Sequence, residues 1–244
     1  MSHGAQNLAD GLLLVDKPSG PTSHDVVAAM RRHLRFKKVG HGGTLDPLAT
    51  GLLILLLGRG TKLSNYVMGS DKTYEGALQL GVSTDSQDAD GQVVAERDIA
   101  GVTEEAVREE MARRTGDLLQ TPPMVSAIKK DGVPLYKLAR KGKTVERDPR
   151  LVHIYAFTLL EFAPPTVRFR VACTKGTYVR TLAHDIGEAL GCGAHLSALR
   201  RTRSGAFSVD DALPLDRLLE MPADALIDRV IPPHEVDTGG LSLP

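Results

Sequence analysis

A glycine-rich segment that carries a single carboxylate constrains the fold of this chain more than any other feature. The segment runs from Gly40 to Leu53, reads GHGGTLDPLATGLL, and has Asp46 as its one acidic residue. Glycines and a proline at this density cannot continue a helix and favour a tight loop of defined shape. The apolar run Leu52 to Leu57, which Gly58 closes, is short and bounded and predicts a buried strand. The pattern therefore predicts one acid on a rigid loop anchored by a core strand, which suits a nucleophile or a base.

The composition excludes several classes of protein. With 244 residues, 42% hydrophobic and 25% charged, the chain suits a globular protein of one large or two small domains. No basic segment followed by an apolar core opens the chain, and no apolar run approaches the ~20 residues of a membrane helix, so we expect neither a secretory signal nor membrane binding. Cys173 and Cys192 stand outside metal-ligand spacing, and no HExxH motif occurs. We therefore expect reduced thiols in a cytoplasmic protein and no metal site.

Basic residues form clusters although the formal net charge is +0. A neutral total argues against nucleic-acid binding, but an uneven distribution can create separate basic and acidic faces. The three clusters are Arg31, Arg32, Arg35, Lys37 and Lys38; Lys129, Lys130, Lys137, Arg140, Lys141, Lys143 and Arg147; and Arg200, Arg201 and Arg203. A solvated face is the alternative for any single cluster. Three clusters that each border a motif favour RNA binding.

Apolar periodicity predicts helices and strands without a regular alternation of the two. Helices are expected after Pro21 with Thr22 or Ser23 as N-cap, over Val102 to Thr115 with Thr103 as N-cap, and from Thr177 as N-cap to Leu190. Further strands are expected at Leu12 to Val15, Tyr74 to Leu80, Val152 to Phe162 and Val167 to Cys173. Such a mixture indicates the α+β class. The stretch 124–150 is the most basic of the chain, and glycines and prolines interrupt it. This composition predicts a mobile RNA-gripping loop.

The aspartate loop resembles the catalytic motif of pseudouridine synthases, and most closely that of the bacterial tRNA pseudouridine-55 synthases of the TruB type. Other blocks match that family in order and spacing from about Gly11 to Phe207. They are GLLLVDKPSG from Gly11, DKTYEG from Asp71, TPPMVSAIK from Thr121, LYKLARKG from Leu135, CTKGTYVR from Cys173 and LRRTRSG from Leu199. The wording PLATG after Asp46 looks more like the stand-alone bacterial branch than the relatives that work with guide RNAs.

The resemblance implies a fold, a domain plan and an activity. The fold is an α+β core around a mixed, mostly antiparallel sheet flanked by helices and loops, in a catalytic domain over residues 1–210. Residues 211–244 form a short C-terminal extension, too short for the PUA-type RNA-binding domain that the family often adds. The implied activity isomerises uridine to pseudouridine in the tRNA T-loop, at uridine 55, without a cofactor. The implied enzyme is a monomer that binds the T-arm and needs no protein partner.

The resemblance also implies roles for the residues of the site. Asp46 attacks the base, attacks the sugar or removes a proton, and the sequence leaves these routes open. Arg180 is the cation that keeps this carboxylate ionised, Tyr74 stacks on the flipped base, and His41 fills the space that the flipped nucleotide leaves. Taken without the family, Asp46 also fits a turn-capping residue and Tyr74 a core residue. His41 also fits a surface residue or a local hydrogen-bonding group.

The remaining implied contacts concern RNA. Lys129, Arg140, Lys141 and Lys143 grip phosphates, which positions the RNA without reading its sequence. Lys17 braces the loop or touches phosphate, while Leu199 lines the substrate pocket and Arg200 contacts RNA; an ordinary helix end is the alternative for the last two. Two other functions stay open: an RNA-binding or RNA-folding protein with secondary catalysis, and one subunit of a guide-dependent ribonucleoprotein.

Overall fold

The computed structural model describes residues 10–126, 129–130, 132–135 and 145–237, with the backbone alone for 129, 130 and 134. These residues form fourteen strands and six α-helices. The strands are β1 (Gly11–Lys17), β2 (Val39–His41), β3 (Thr50–Leu57), β4 (Lys72–Leu80), β5 (Val82–Thr84), β6 (Val93–Glu96), β7 (Gly116–Gln120), β8 (Lys129–Lys130), β9 (Val133–Pro134), β10 (Arg150–Ala163), β11 (Thr166–Cys173), β12 (Ala194–Ser204), β13 (Phe207–Ser208) and β14 (Leu213–Pro214). The helices are α1 (Ser23–His33), α2 (Ser64–Gly69), α3 (Glu104–Arg113), α4 (Val179–Ala189), α5 (Leu215–Glu220) and α6 (Ala223–Ile227). Short 3₁₀ segments lie at Gly58–Leu63, Val209–Asp211 and Pro233–Glu235.

The chain divides into two compact units. The first takes its described residues from Met1–Thr73 and Arg200–Pro244, and the second is Tyr74–Leu199. Strands β4 and β12 each contribute residues to both units.

The first unit contains a mixed sheet around β3. Strand β1 runs antiparallel to β3 along its whole length, from Gly11 opposite Leu57 to Lys17 opposite Gly51. Strand β2 pairs antiparallel with β3, whereas β12 pairs with β3 and β14 pairs with β1 in parallel. Residues Leu52 to Leu57 are at most 2% exposed, so the predicted buried strand after the aspartate loop is present.

The C-terminal residues belong to the core of the first unit. Leu218 and Leu226 are both 0% exposed, and Ile231 exchanges two backbone hydrogen bonds with Leu12 of β1, at 2.8 and 2.9 Å. The described part of the segment after residue 210 therefore packs on the unit that carries the aspartate loop.

The second unit contains the strand order β12-β4-β11-β10-β7. Strand β10 is antiparallel to both β11 and β7, and two short antiparallel pairs, β5 with β6 and β8 with β9, lie outside this order. Helix α4 buries Val179, Leu182, Ala183 and Ile186. The α+β class with a mixed, mostly antiparallel sheet and flanking helices is confirmed.

Local cap patterns predict helix starts well where the cap is a short-range contact. Thr103 accepts a hydrogen bond from the Ala106 amide at 3.2 Å and is the N-cap of α3, as predicted. Thr177 is not the N-cap of α4, which begins one residue later, after Tyr178. The reason is a distant contact: the Tyr178 amide donates to Oε1 of Gln120 at 2.7 Å, so a side chain from β7 satisfies this end of the helix.

Candidate active site

Asp46 lies on a loop between β2 and β3 whose backbone is closely held. The residue is half-buried, whereas Leu45 and Ala49 on either side are 3% and 1% exposed. The Ala49 amide donates to the Asp46 carbonyl at 3.1 Å, and the Gly20 amide donates to the Pro47 carbonyl at 2.9 Å. The loop is therefore tight and anchored in the core, as the glycine-rich sequence predicts.

Two glycines of this segment stand where a side chain would collide. Gly51 has a φ of +96°, and a Cβ there would lie 2.3 Å from the carbonyl oxygen of Arg201. A Cβ on Gly42 would lie 2.3 Å from Cγ1 of Val67. Neither distance is compatible with a side chain, so glycine at both positions allows the loop to approach its neighbours closely.

Lys17 ends β1 and holds the far side of the loop. Its side chain is among the most buried of the protein, at 0% exposure. Nζ donates to the carbonyls of Pro18 at 2.9 Å, Pro47 at 3.2 Å and Ala49 at 2.6 Å. Carbonyls of an irregular loop have no ladder partner, and an ammonium with three donors satisfies them. Of the two expected roles for Lys17, this geometry favours the brace over the phosphate contact.

Replacing Lys17 with methionine should lower the free energy of unfolding by about 3 kcal/mol. Each buried polar group left unpartnered costs about 1–3 kcal/mol, and removal of a buried charge offsets part of the sum. Urea denaturation followed by circular dichroism measures the change. Exposed Lys175 supplies the control, since K175M should shift stability by less than about 0.5 kcal/mol. Equal stability of K17M and wild type would contradict the brace.

Ser23 holds the residue before Asp46. It is 1% exposed, and its Oγ accepts from the Leu45 amide at 2.8 Å and donates to the Leu45 carbonyl at 3.1 Å. Thr22 is the N-cap of α1 and forms a capping box with Asp25, at 3.1 and 2.9 Å. Because Thr22 caps the helix, the Ser23 hydroxyl can bind the backbone of the aspartate loop instead. The cap pattern in the sequence does not reveal this role.

His41 lies at the end of β2, where the loop begins. Its ring meets His24 edge-on with centroids 5.2 Å apart, and its Nδ1 accepts from the Gly43 amide at 3.4 Å. Burial lowers the pKa of His41, and the charges of His24 and Arg201 lower the pKa further. The ring is therefore neutral near pH 7, which suits the expected role of filling space.

Two arginines of the third basic cluster are engaged within the first unit. Arg200 pairs with Asp16 through Nη1 at 2.9 Å and Nη2 at 2.7 Å, and its side chain is 41% exposed. Arg201 is 2% exposed and bonds to backbone carbonyls, so it does not belong to a basic surface. Leu199 and Arg200 lie in strand β12, which excludes the alternative of a helix end.

Arg180 is the second residue of α4, and its guanidinium is buried in the second unit. Nη1 donates to Oδ2 of Asp88 at 3.1 Å, and Nη2 donates to the Val125 carbonyl at 2.6 Å. Its guanidinium also lies 5.8 Å from the centre of the Tyr178 ring. Asp88 is 4% exposed, and its other oxygen accepts from Oγ of Ser86 at 2.5 Å. Asp88 is a candidate that sequence reasoning missed, because an aspartate in an acidic loop carries no local sign of burial.

The two units divide the remaining predicted residues between them. Lys17, His41, Asp46 and Arg200 belong to the first unit, and Tyr74, Arg180 and Leu199 belong to the second. Tyr74 and Leu199 are both half-buried. Lys129 is described by its backbone in β8, while Arg140, Lys141 and Lys143 lie outside the described residues.

The described part of the chain shows neither a metal-binding cluster nor a membrane-spanning helix. No three histidine, cysteine, aspartate or glutamate side chains there come together in a way that could hold a metal ion. Among its helices, none has both the length and the apolar character needed to cross a membrane.

Curated relatives resemble the chain over most of its length. A tRNA pseudouridine synthase B from Opitutus terrae is 56% identical over 226 residues, which cover 93% of this chain and 94% of the relative. The protein of the same name from Geobacter sulfurreducens is 51% identical over 227 residues, covering 93% of this chain and 75% of the relative. The similarity therefore includes both units.

A solved structure supports the fold. One chain in a crystal structure of a Cbf5–Nop10–Gar1 complex superposes with a TM-score of 0.69 at 34% identity. The match covers 87% of this chain and 54% of the solved one, so this chain spans about half the length of that relative.

Two family models together match residues 31–236. Residues 31–179 match the N-terminal domain of the TruB family pseudouridylate synthases, and residues 180–236 match the C-terminal domain of tRNA pseudouridylate synthase B. The predicted pseudouridine synthase fold is thereby confirmed. The chain belongs to the TruB family of pseudouridylate synthases.

Proposed function

We propose that the chain converts uridine 55 in the T-loop of tRNA to pseudouridine and that the reaction depends on Asp46. Membership of the family makes the chain a tRNA pseudouridine synthase; the target position and the chemistry are what the proposal adds. One observation carries it: a half-buried carboxylate on a loop whose backbone is held by the buried side chains of Lys17 and Ser23. Catalytic groups need such preorganisation.

The proposed reaction is an isomerisation. The N1–C1′ bond of uridine breaks, the base turns, and C5 bonds to C1′; C5 loses a proton and N1 gains one, so atoms and electrons balance without an oxidant or a reductant. The Asp46 carboxylate assists by attacking the base, by attacking the sugar or by removing a proton. Each route requires an ionised carboxylate and a uridine that has left its stack in the folded RNA.

Other residues prepare the base and the carboxylate in this proposal. Tyr74 stacks on the flipped base, and its hydroxyl helps to move a proton. Arg180 keeps the carboxylate ionised. His41 fills the space that the flipped nucleotide leaves, which its neutral ring supports.

The RNA contacts and the organisation of the chain complete the proposal. Phosphates are gripped by the basic residues Lys129, Arg140, Lys141, Lys143 and Arg200, and Leu199 lines the pocket. Residues 1–210 are the catalytic domain with its RNA-gripping loop over 124–150, and 211–244 are a C-terminal extension. The enzyme acts in the cytoplasm as a monomer without a protein partner.

Tritium release tests the reaction and its target together. A tRNA transcript labelled at C5 of uridine is incubated with the purified protein, and the modified position is then mapped. We expect release of one tritium per tRNA, mapped to uridine 55, and no release from a transcript with cytidine at that position. Release mapped elsewhere would overturn the assigned target. A folded protein that binds tRNA without release would favour the RNA-binding alternative.

Salt dependence tests the phosphate grip separately. Binding should weaken linearly in a double-logarithmic plot, with a slope of about −0.7 to −0.9 per phosphate neutralised. Glutamine at all three of Arg140, Lys141 and Lys143 should make the slope less negative by about 2 to 3. Glutamine at Arg168, which is 58% exposed and paired with Glu161, should leave the slope unchanged. An unchanged slope in the triple variant would contradict the grip.

A further inference from the structure

Arg201 is a buried arginine that donates three side-chain hydrogen bonds to carbonyls of the segment around Asp46. Nε donates to the Leu52 carbonyl at 2.7 Å, Nη1 to the Thr44 carbonyl at 3.4 Å and Nη2 to the Gly43 carbonyl at 3.2 Å. The residue is 2% exposed. One planar guanidinium thus joins carbonyls that precede Asp46 in the chain to one that follows it.

The strand register explains why this arginine, and not its neighbour, reaches the loop. Strands β12 and β3 run parallel, with Arg200 opposite Thr50 and Arg201 opposite Gly51. Successive side chains of a strand point to opposite faces, so Arg200 meets Asp16 while Arg201 enters the protein. Gly51 has no side chain, which allows the Arg201 backbone to approach the end of the loop.

The chemistry of the contact suits arginine in particular. The Gly43 and Thr44 carbonyls come from an irregular loop, where no ladder hydrogen bond is available, and the Leu52 carbonyl comes from β3. A guanidinium carries five donors in a fixed fork, which can serve several acceptors at once without rotating. An ammonium offers three donors around one nitrogen and a shorter reach, so lysine can replace this arrangement only in part.

Three buried side chains divide the loop between them. Ser23 holds the two polar backbone groups of Leu45, Lys17 holds the carbonyls of Pro47 and Ala49, and Arg201 holds the outer part of the loop. Lys17 and Ser23 therefore hold the backbone close to Asp46. Arg201 holds the two ends of the loop, next to β2 and in the first residues of β3.

We propose that Arg201 is a positioning residue, which holds the backbone on both sides of Asp46 in the conformation that the reaction needs and takes no part in binding phosphate. The inference rests on the proposed catalytic role of Asp46. A loop displaced by about 1 Å can lose about 100-fold in rate, because the reacting atoms no longer meet in the right geometry. Affinity for tRNA should not change, because a residue that is 2% exposed cannot contact RNA.

The test compares single-turnover rates, tRNA affinity and backbone protection in R201M, R201K and D46N, with R59M as the control. Arg59 is an arginine of the same unit whose side chain is 79% exposed and pairs with Asp10. We expect R201M to lose about 100-fold in rate at unchanged tRNA affinity, R201K to recover part of that loss, and R59M to match wild type. Hydrogen exchange of a peptide that spans residues 40–52 should be faster in R201M and unchanged in R59M.

The variants distinguish a failure of the role of Arg201 from a failure of the catalytic role of Asp46. A wild-type rate in R201M beside an inactive D46N would overturn the role of Arg201 alone, and so would a loss of tRNA affinity at an unchanged rate. An active D46N would overturn the catalytic role of Asp46, and the exchange experiment would still decide whether Arg201 holds the loop. If R201M does not fold, R201K carries the test: a rate and an exchange profile equal to wild type would overturn the inference.

Discussion

Replacing Asp46 with asparagine should reduce turnover on tRNA by about 10⁴-fold or more, while folding and tRNA binding stay at wild-type levels. Asparagine has nearly the same shape, but its neutral amide can neither attack carbon nor accept a proton at neutral pH. The fold should tolerate the change because the loop is held through its backbone: the Asp46 carbonyl accepts from the Ala49 amide, and Ser23 holds Leu45. Single-turnover tritium release with excess enzyme measures the rate, and filter binding measures the affinity.

The control for this variant is an aspartate with no expected part in the reaction. Asp211 is exposed in the same unit, and D211N should leave the rate and the affinity unchanged. Turnover by D46N within about tenfold of wild type would mean that another group performs the chemistry, since removal of a catalytic base or nucleophile costs far more. Loss of tRNA affinity in D46N would instead assign the carboxylate to binding.

Replacing Asp88 with asparagine should lower the free energy of unfolding by about 3–5 kcal/mol, because it removes the charge that compensates a buried guanidinium. The side chains of Arg180 and Asp88 are 5% and 6% exposed, and 3.1 Å separates Nη1 from Oδ2. The same carboxylate accepts from Oγ of Ser86 at 2.5 Å and from the Asp90 amide at 3.2 Å. An amide cannot accept all of these bonds. Equilibrium urea unfolding provides the measurement, and turnover should fall with it if Arg180 has its proposed role.

A surface ion pair provides the control for D88N, and a double-mutant cycle tests whether Asp88 and Arg180 are coupled. Asp117 pairs with His153 and is 73% exposed, so D117N should cost less than about 1 kcal/mol. R180M should destabilise the D88N protein less than the wild type, because the two residues act through one contact. Additive effects of D88N and R180M would show that the buried pair is not coupled, and an effect of D88N no larger than that of D117N would contradict its importance.

Short-range features of this protein could be predicted from its sequence. The loop around Asp46 follows from glycines and a proline, and the strand after it follows from an apolar run, both of which act within a few residues. Thr22 and Thr103 cap their helices through contacts three residues away. The family resemblance is also a property of the sequence, because it depends on residues in a fixed order.

The fate of each charged side chain could not be predicted in the same way. Lys17, Arg200 and Arg201 all lie in blocks that match the family, yet Lys17 braces the loop, Arg200 pairs with Asp16 and Arg201 is buried against three carbonyls. The residue type alone does not show whether water or a carbonyl surrounds a charged side chain. The strand pairing puts Arg200 and Arg201 on opposite faces of β12, and this distinguishes the two arginines.

The number of residues between interacting groups explains which features could be predicted from the sequence and which could not. Arg180 and Asp88 are 92 positions apart, and Arg201 and Leu52 are 149 positions apart. Propensity, periodicity and capping act over a few residues and determine the aspartate loop, its strand and the α+β class. Burial and pairing of Asp88, Arg180 and Arg201 depend on which distant strands become neighbours, so the tertiary structure decided which charges are held inside the protein and which carbonyls they satisfy.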